Sequence, residues 1–166
     1  MDIGNFYFIN DQYFIDFPDS KLMNNKETLR GVVHNRPCYY TFKDNVTGVY
    51  WGIPISSQVS KYRVHYDRKV LRYGDCDTIH FGYVLGKEKA FLIQNMCPVI
   101  DEYINNIYID NATSSPVIIN PNLASELTRK ARKVLGLQKN GQSLIFPDVL
   151  SIERALQLKL ANCQAK

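Results

Sequence analysis

Apolar and polar residues alternate in short runs through the first part of the chain, with the two-residue period of half-buried strands. Phe6 to Ile9 forms one run. Pro37 to Lys43 and Val49 to Ile55 form two more, joined by Asp44-Asn45-Val46-Thr47-Gly48 in a hairpin signature. Between the first and second runs, Asn10 or Asp11 caps a short helix predicted through Phe17 and stopped by Pro18. The polar stretch from Asp19 to Asn35 then reads as one long loop, and loops of that length usually carry function or motion.

From Ser57 the spacing becomes three and four residues, with Val59, Tyr62, Tyr66 and Val70 on one stripe and Gly74 as the stop of a predicted helix. Strands are predicted at Thr78 to Leu85 and Ala90 to Asn95 around the turn Gly86-Lys87-Glu88-Lys89. Val99 to Ile109 fits either a helix or a strand, and Val117 to Ile119 reads as a short strand. Asn120 followed by Pro121 opens a helix as cap and first helical residue. Its apolar stripe is Leu123, Leu127, Ala131, Val134 and Leu135. That leaves Arg129, Lys130, Arg132 and Lys133 to the other faces, with Gly136 as the C-terminal signal. A last helix is expected from about Asp148 to Leu160. The pattern predicts an α+β protein: a compact, strongly twisted antiparallel sheet surrounded by helices.

With 166 residues, 45% hydrophobic and 22% charged, the chain fits a single globular domain spanning 1–166. No apolar run approaches the roughly 20 residues of a membrane helix, and no basic segment precedes the first apolar residues, so a soluble cytoplasmic protein is expected. Cys38, Cys76, Cys97 and Cys163 lack C-x-x-C spacing, which disfavours a zinc ribbon and fits reduced thiols; no metal and no cofactor are expected.

The net charge of +4 is unevenly spread. Lys61, Arg63, Arg68, Lys69 and Arg72 face only Asp67 within Ser57 to Tyr73, and the chain after Pro121 is again basic. Two basic surfaces facing a polyanion, and eleven Tyr with eight Phe able to stack on unpaired bases, favour nucleic acid as a partner.

Chemistry concentrates where the run Gly52-Ile-Pro-Ile-Ser56-Ser57 ends and a helix begins. The first-turn amides there are unpaired and lie at the positive end of the helix dipole, so the two hydroxyls border an anion site. Lys61, four residues after Ser57, shares its helix face. As a pattern alone, these are equally a helix cap and a solvated lysine. Hairpin pairing brings Arg36, just before its strand, back beside Ser56 and Ser57, where its fork can grip a phosphate. His80 lies inside a predicted strand and is a candidate proton carrier, although a lone histidine is more often structural. Motifs of nucleotide hydrolysis, dinucleotide binding, zinc proteolysis and α/β-hydrolase chemistry are missing from the sequence.

Several segments taken in order resemble one family. These are Tyr7-Phe8-Ile9 with Gln12-Tyr13-Phe14-Ile15-Asp16-Phe17-Pro18, then Asn35-Arg36-Pro37-x-Tyr39-Tyr40, then Trp51-x-Ile53-Pro54-Ile55-Ser56-Ser57-x-x-x-Lys61, then Phe91 to Met96 and the basic helix Lys130-Ala-Arg-Lys133. The set resembles the endoribonuclease toxins of type III toxin-antitoxin systems, the ToxN and AbiQ family, and most nearly the CptN branch. The resemblance implies a MazF- and Kid-like core and metal-independent cleavage of RNA. It also implies an antitoxin that is an RNA pseudoknot, binding several toxin chains in one particle. By position, the family's Thr-Ser pair and following lysine fall on Ser56, Ser57 and Lys61, and its basic residue before the second strand falls on or near Arg36. In the ToxN branch one residue separates serine and lysine, whereas three do here. The implied catalytic set is Ser56, Ser57, Lys61, Arg36 and His80. Contacts to RNA are expected from Tyr7, His34, Tyr39, Arg63, Arg129, Lys130, Arg132 and Lys133. The alternatives are a non-catalytic RNA-binding module and a small-molecule-binding protein.

Overall fold

The computed structural model describes residues 1–29 and 31–164. Strand β1 (Phe6–Ile9) leads to helix α1 (Asp11–Asp16), where the Asn10 side chain caps the first turn by accepting from Tyr13 N–H. The segment expected to be a loop holds a hairpin instead, β2 (Lys26–Leu29) against β3 (Val32–Asn35), with Glu27 opposite His34. Its lack of a two-residue apolar period hid it. All four residues of β3 are exposed, so no apolar alternation marks the strand.

Strands β4 (Cys38–Lys43) and β5 (Tyr50–Ser56) form the expected hairpin, and all seven residues of β5 are buried. A bulge at Thr41 puts both Tyr39 and Phe42 on the face shared with Trp51 and Ile53. Helix α2 (Val59–Tyr73) ends at Gly74, whose φ of 81° is the left-handed conformation that glycine adopts most readily. Strands β6 (His80–Val84) and β7 (Lys87–Phe91) follow, joined only by Leu85 and Gly86, both at positive φ. That primed two-residue turn is tighter than the sequence implies, because Lys87 to Lys89 belong to β7.

Beyond β7 comes a 3₁₀ turn (Ile93–Asn95), then β8 (Cys97–Val99), a second 3₁₀ turn (Asp101–Tyr103), and β9 (Ile104–Ile107). The stretch left open between helix and strand thus holds both. The short β10 (Ile109–Asp110) pairs with β11 (Ser115–Pro116), and Val117 to Ile119 follow it without forming a strand. Helix α3 (Pro121–Lys139) starts at the expected Asn120 cap but runs through Gly136. A mid-helix glycine costs only about 1 kcal/mol. Here Gln138 Oε1 anchors the last turn by accepting from Leu144 and Ile145 N–H. Helix α4 (Val149–Gln164) is the last described element.

Seven strands form one antiparallel sheet in the order β6-β7-β5-β4-β1-β9, with β8 also on β5. One edge of β5 pairs with β4 from Tyr50 to Pro54. On the other edge, Ser56 and Ile55 pair with β7 while Gly52 to Tyr50 pair with β8, so Ile53 and Pro54 face the five residues Leu92 to Met96. Pro54 has no N–H to donate, and its carbonyl accepts from Leu92 N–H at 3.0 Å. Alternation divides the core. Phe6, Tyr39, Trp51, Ile53 and Ile55 pack beneath α3, while Tyr7, Ile9, Cys38, Tyr40 and Tyr50 pack against Tyr13 of α1 and Ile152 and Leu156 of α4. A smaller cluster under α2 joins Tyr62, Tyr66 and Val70 to Cys76, Ile79, Ala90 and Leu92. Among the described residues no helix is long and apolar enough to cross a membrane.

Candidate active site

Strand β5 delivers Ser56 to the sheet's end, where it pairs with Ala90 of β7. Its hydroxyl is only 1% exposed; it donates to Glu27 Oε1 and accepts from Gln58 N–H at 3.1 Å. Glu27, carried in by the β2–β3 hairpin, is the hub. Its Oε2 accepts from Ser57 N–H at 3.3 Å, and Arg36 Nη2 lies 3.5 Å from Oε1. The Ser57 hydroxyl accepts from the ammonium of Lys89 on β7.

Glu27, Arg36, Ser57 and Lys89, with His34 and Lys87 at the margin, line a cleft of about 340 Å³. Arg36 is buried. Its Nη1 donates to Asn24 O, and its Nε has no partner among the described residues. Burial pushes the Lys89 pKa below the usual lysine value, and the neighbouring Lys87 pushes the same way against the opposing pull of Glu27. The cleft therefore presents a guanidinium, an ammonium and a hydroxyl around a carboxylate, a set able to orient an anion and to exchange protons with what it holds.

Several expected residues sit elsewhere. Helix α2 begins at Val59, so Ser57 is not its cap, and Gln58 at the cap position makes no side-chain bond. Lys61 is exposed, with its ammonium 5.6 Å from the Tyr62 ring centroid, and Lys89 takes the place beside Ser57. Ser57 lies before the first residue of α2, so the four-residue helical spacing does not bring Lys61 to it. His80 is half-buried among charges that include Glu126, Arg129 and Lys130 of α3, outside the cleft. Burial, then the charge of Lys130, lowers its pKa.

The expected RNA contacts divide in the same way. His34 is exposed and lines the cleft. Tyr7 and Tyr39 are core residues: Tyr7 packs edge-on to Tyr40, and Tyr39, 1% exposed, packs against Phe6 and Phe91. Their rings cannot stack on bases without opening the core. Lys130 is a correction of the same kind. The expected surface lysine is 5% exposed and donates to Cys76 O at 2.8 Å. Arg129 pairs with Glu126 at 2.7 Å, Lys133 pairs with Asp77, and Arg132 lies 4.3 Å over the Phe42 ring. Most of the α3 charge is thus locally neutralised. Arg63 of α2 lies 3.6 Å over Phe81 and pairs with Glu88 at 2.7 Å. Lys61, Arg68 and Arg72, by contrast, form no ion pair among the described residues, and Arg68 and Arg72 line a groove with His65 and Tyr73.

Sequence reasoning missed Glu27 and Lys89. Glu27 lay in an apparent loop and Lys89 in an apparent turn, where charges read as solvated. Only the β5–β7 pairing shows that Lys89 reaches the serines.

The sequence matches no family model and has no significant match among curated proteins. A solved structure does match it, that of AbiQ, described as a lactococcal anti-phage endoribonuclease belonging to the type III toxin-antitoxin system. The likeness has a TM-score of 0.65 and covers 95% of this chain and 98% of that one, at 16% sequence identity. The fold is similar to that of AbiQ. With so few identical residues the likeness is one of architecture, and it runs almost end to end, helices included.

Proposed function

We propose that this protein is an endoribonuclease toxin of a type III toxin-antitoxin system, with its active site in the cleft around Ser57. The carrying observation is that Arg36, Ser57 and Lys89 converge on one cleft in a fold similar to that of an endoribonuclease. Cleavage uses the RNA's own 2′-hydroxyl as nucleophile, so the protein must hold the scissile phosphate and stabilise the charge that grows on its oxygens. Ser57 orients the phosphate. Arg36 and Lys89 meet its developing charge. The buried Ser56 acts from below by holding Glu27. Products are a 2′,3′-cyclic phosphate and a 5′-hydroxyl, and no metal is required.

The free cations of α2 extend the site, so RNA is proposed to run from the cleft along Arg68 and Arg72 rather than over α3. The antitoxin is a repeat-derived RNA pseudoknot, bound at the same cleft as a product held by the enzyme, in a particle with more than one protein chain. Assignment to the CptN branch rests on the sequence segments alone.

Purified protein incubated with single-stranded RNA in EDTA tests the reading. Cleavage leaving cyclic phosphate ends supports it. Binding without cleavage favours the non-catalytic RNA-binding alternative, and activity only on adding magnesium overturns the metal-independent mechanism.

A further inference from the structure

We infer that Glu27 is the general base that takes the proton from the attacking 2′-hydroxyl. The inference rests on the ribonuclease reading and adds to it a residue from a hairpin that the sequence pattern does not reveal.

The geometry is that of a carboxylate held for use. Glu27 is 7% exposed, yet it lines the cleft, so its oxygens are shielded from bulk water but open to a ligand. Ser56, Ser57 N–H and Arg36 fix it from the protein side, and Lys89, bonded to the Ser57 hydroxyl, lines the same cleft. A buried carboxylate bound to donors on several sides keeps one orientation, as proton abstraction requires. The donors that fix Glu27 lie beside those proposed for the phosphate. A phosphodiester on Ser57 and Lys89 therefore brings the adjacent ribose to the carboxylate.

The step balances without a co-reactant. The 2′-O–H bond breaks toward a Glu27 oxygen, the bond from O2′ to phosphorus forms, and the bond from phosphorus to O5′ breaks. The departing 5′-oxygen takes a proton from solvent, and Glu27 returns its own to solvent before the next turnover. Among the described residues, the charged and titratable groups facing Glu27 are Arg36, Lys89 of β7, Tyr62 of α2 and His34, the strand partner of Glu27.

The alternative is that Glu27 is a plug, an internal anion that a phosphate must displace, and the two roles predict opposite signs. The experiment measures cleavage of single-stranded cellular RNA in EDTA across pH for the wild type, Glu27→Gln and Glu27→Asp, with binding to a 2′-O-methyl RNA that cannot react. General-base action predicts that E27Q cleaves about 10²- to 10⁴-fold more slowly, binds the inert RNA as well as or better than the wild type, and loses the acidic limb of the pH-rate profile. E27D, one methylene shorter, should be slower than the wild type but keep that limb, and it decides the matter if E27Q does not fold. Equal or faster cleavage by E27Q, a surviving acidic limb in E27Q, or wild-type rates in E27D overturn the assignment to Glu27 while leaving the ribonuclease reading standing. Inactivity of the wild type overturns the ribonuclease reading itself.

Discussion

Lys89 donates to the hydroxyl of Ser57 across the seam between the β6–β7 hairpin and the turn into α2. The lysine of the site thus comes from a different element than its serine, although the sequence holds a lysine four residues after that serine. Lys89→Gln and Ser57→Ala should each lower RNA cleavage by about 10²- to 10³-fold, the usual effect of removing one preorganised donor. Lys61→Gln should leave the rate within about twofold. Ser57 caps no helix, so S57A should melt as the wild type does. Initial rates on one RNA preparation separate the two lysines, and a K61Q defect equal to that of K89Q would reinstate Lys61.

Charge reversal on α3 should act through stability. Lys130→Glu removes the bond to Cys76 O and buries a carboxylate beside Glu126, 4.0 Å from the present ammonium. A loss of about 3 to 5 kcal/mol is expected by denaturant unfolding. Lys133→Glu, at a half-exposed position, should cost far less. If K130E unfolds at the wild-type denaturant midpoint and only RNA affinity falls, Lys130 is a surface contact after all.

His80 makes stability depend on pH in a defined direction. Its folded pKa lies below the unfolded value of about 6.5, so the unfolded chain binds the proton more readily and protonation favours unfolding. The stability associated with neutral His80 is complete above that value and is lost as pH falls through it toward the folded pKa. Denaturant midpoints at pH 7.5 and 5.5 should converge in His80→Gln relative to the wild type. An unchanged difference would remove His80 from the account.

Gly82 of β6 lies against Leu123 of α3. A Cβ there would overlap Leu123 Cδ2 and lie 2.9 Å from its Cδ1. Gly82→Ala should therefore cost about 1 to 3 kcal/mol by overpacking. Adding Leu123→Ala should return part of that loss, and a double-mutant cycle with no coupling would show that Leu123 simply rotates aside.

Legibility followed burial. The β4–β5 hairpin, the α2 stripe and the Asn120-Pro121 start of α3 could be read because two-residue and helical periods reflect one wet face and one dry one. The β2–β3 hairpin could not, since β3 is wholly exposed and its apolar residues, Val32 and Val33, are adjacent rather than alternating. Among the residues that line the cleft, Ser57 and Arg36 could be placed together because they border the hairpin whose register was predicted. Lys130 misled because helical spacing gives a position on the helix but not how far neighbouring segments wrap around it; here Cys76 covers it. Tyr7 and Tyr39 misled for a related reason. Both faces of the sheet are covered, so alternation along β1 and β4 carries no outward-facing set.

The interrupted edge of β5 sets how the molecule opens. Among the described residues the β6–β7 hairpin has two register pairs with β5, at Ile55 and Ser56, and Leu92 on Pro54 as a further tie, whereas β4 holds five register pairs with the same strand. Such a flap unfolds at lower free energy than the sheet behind it and exchanges its amide hydrogens sooner. Since the flap carries Lys89, a polyanion seated between Lys89 and Ser57 stitches it down. The bound state should therefore leave an exchange footprint over Phe81 to Phe91, while β4, already protected, barely changes.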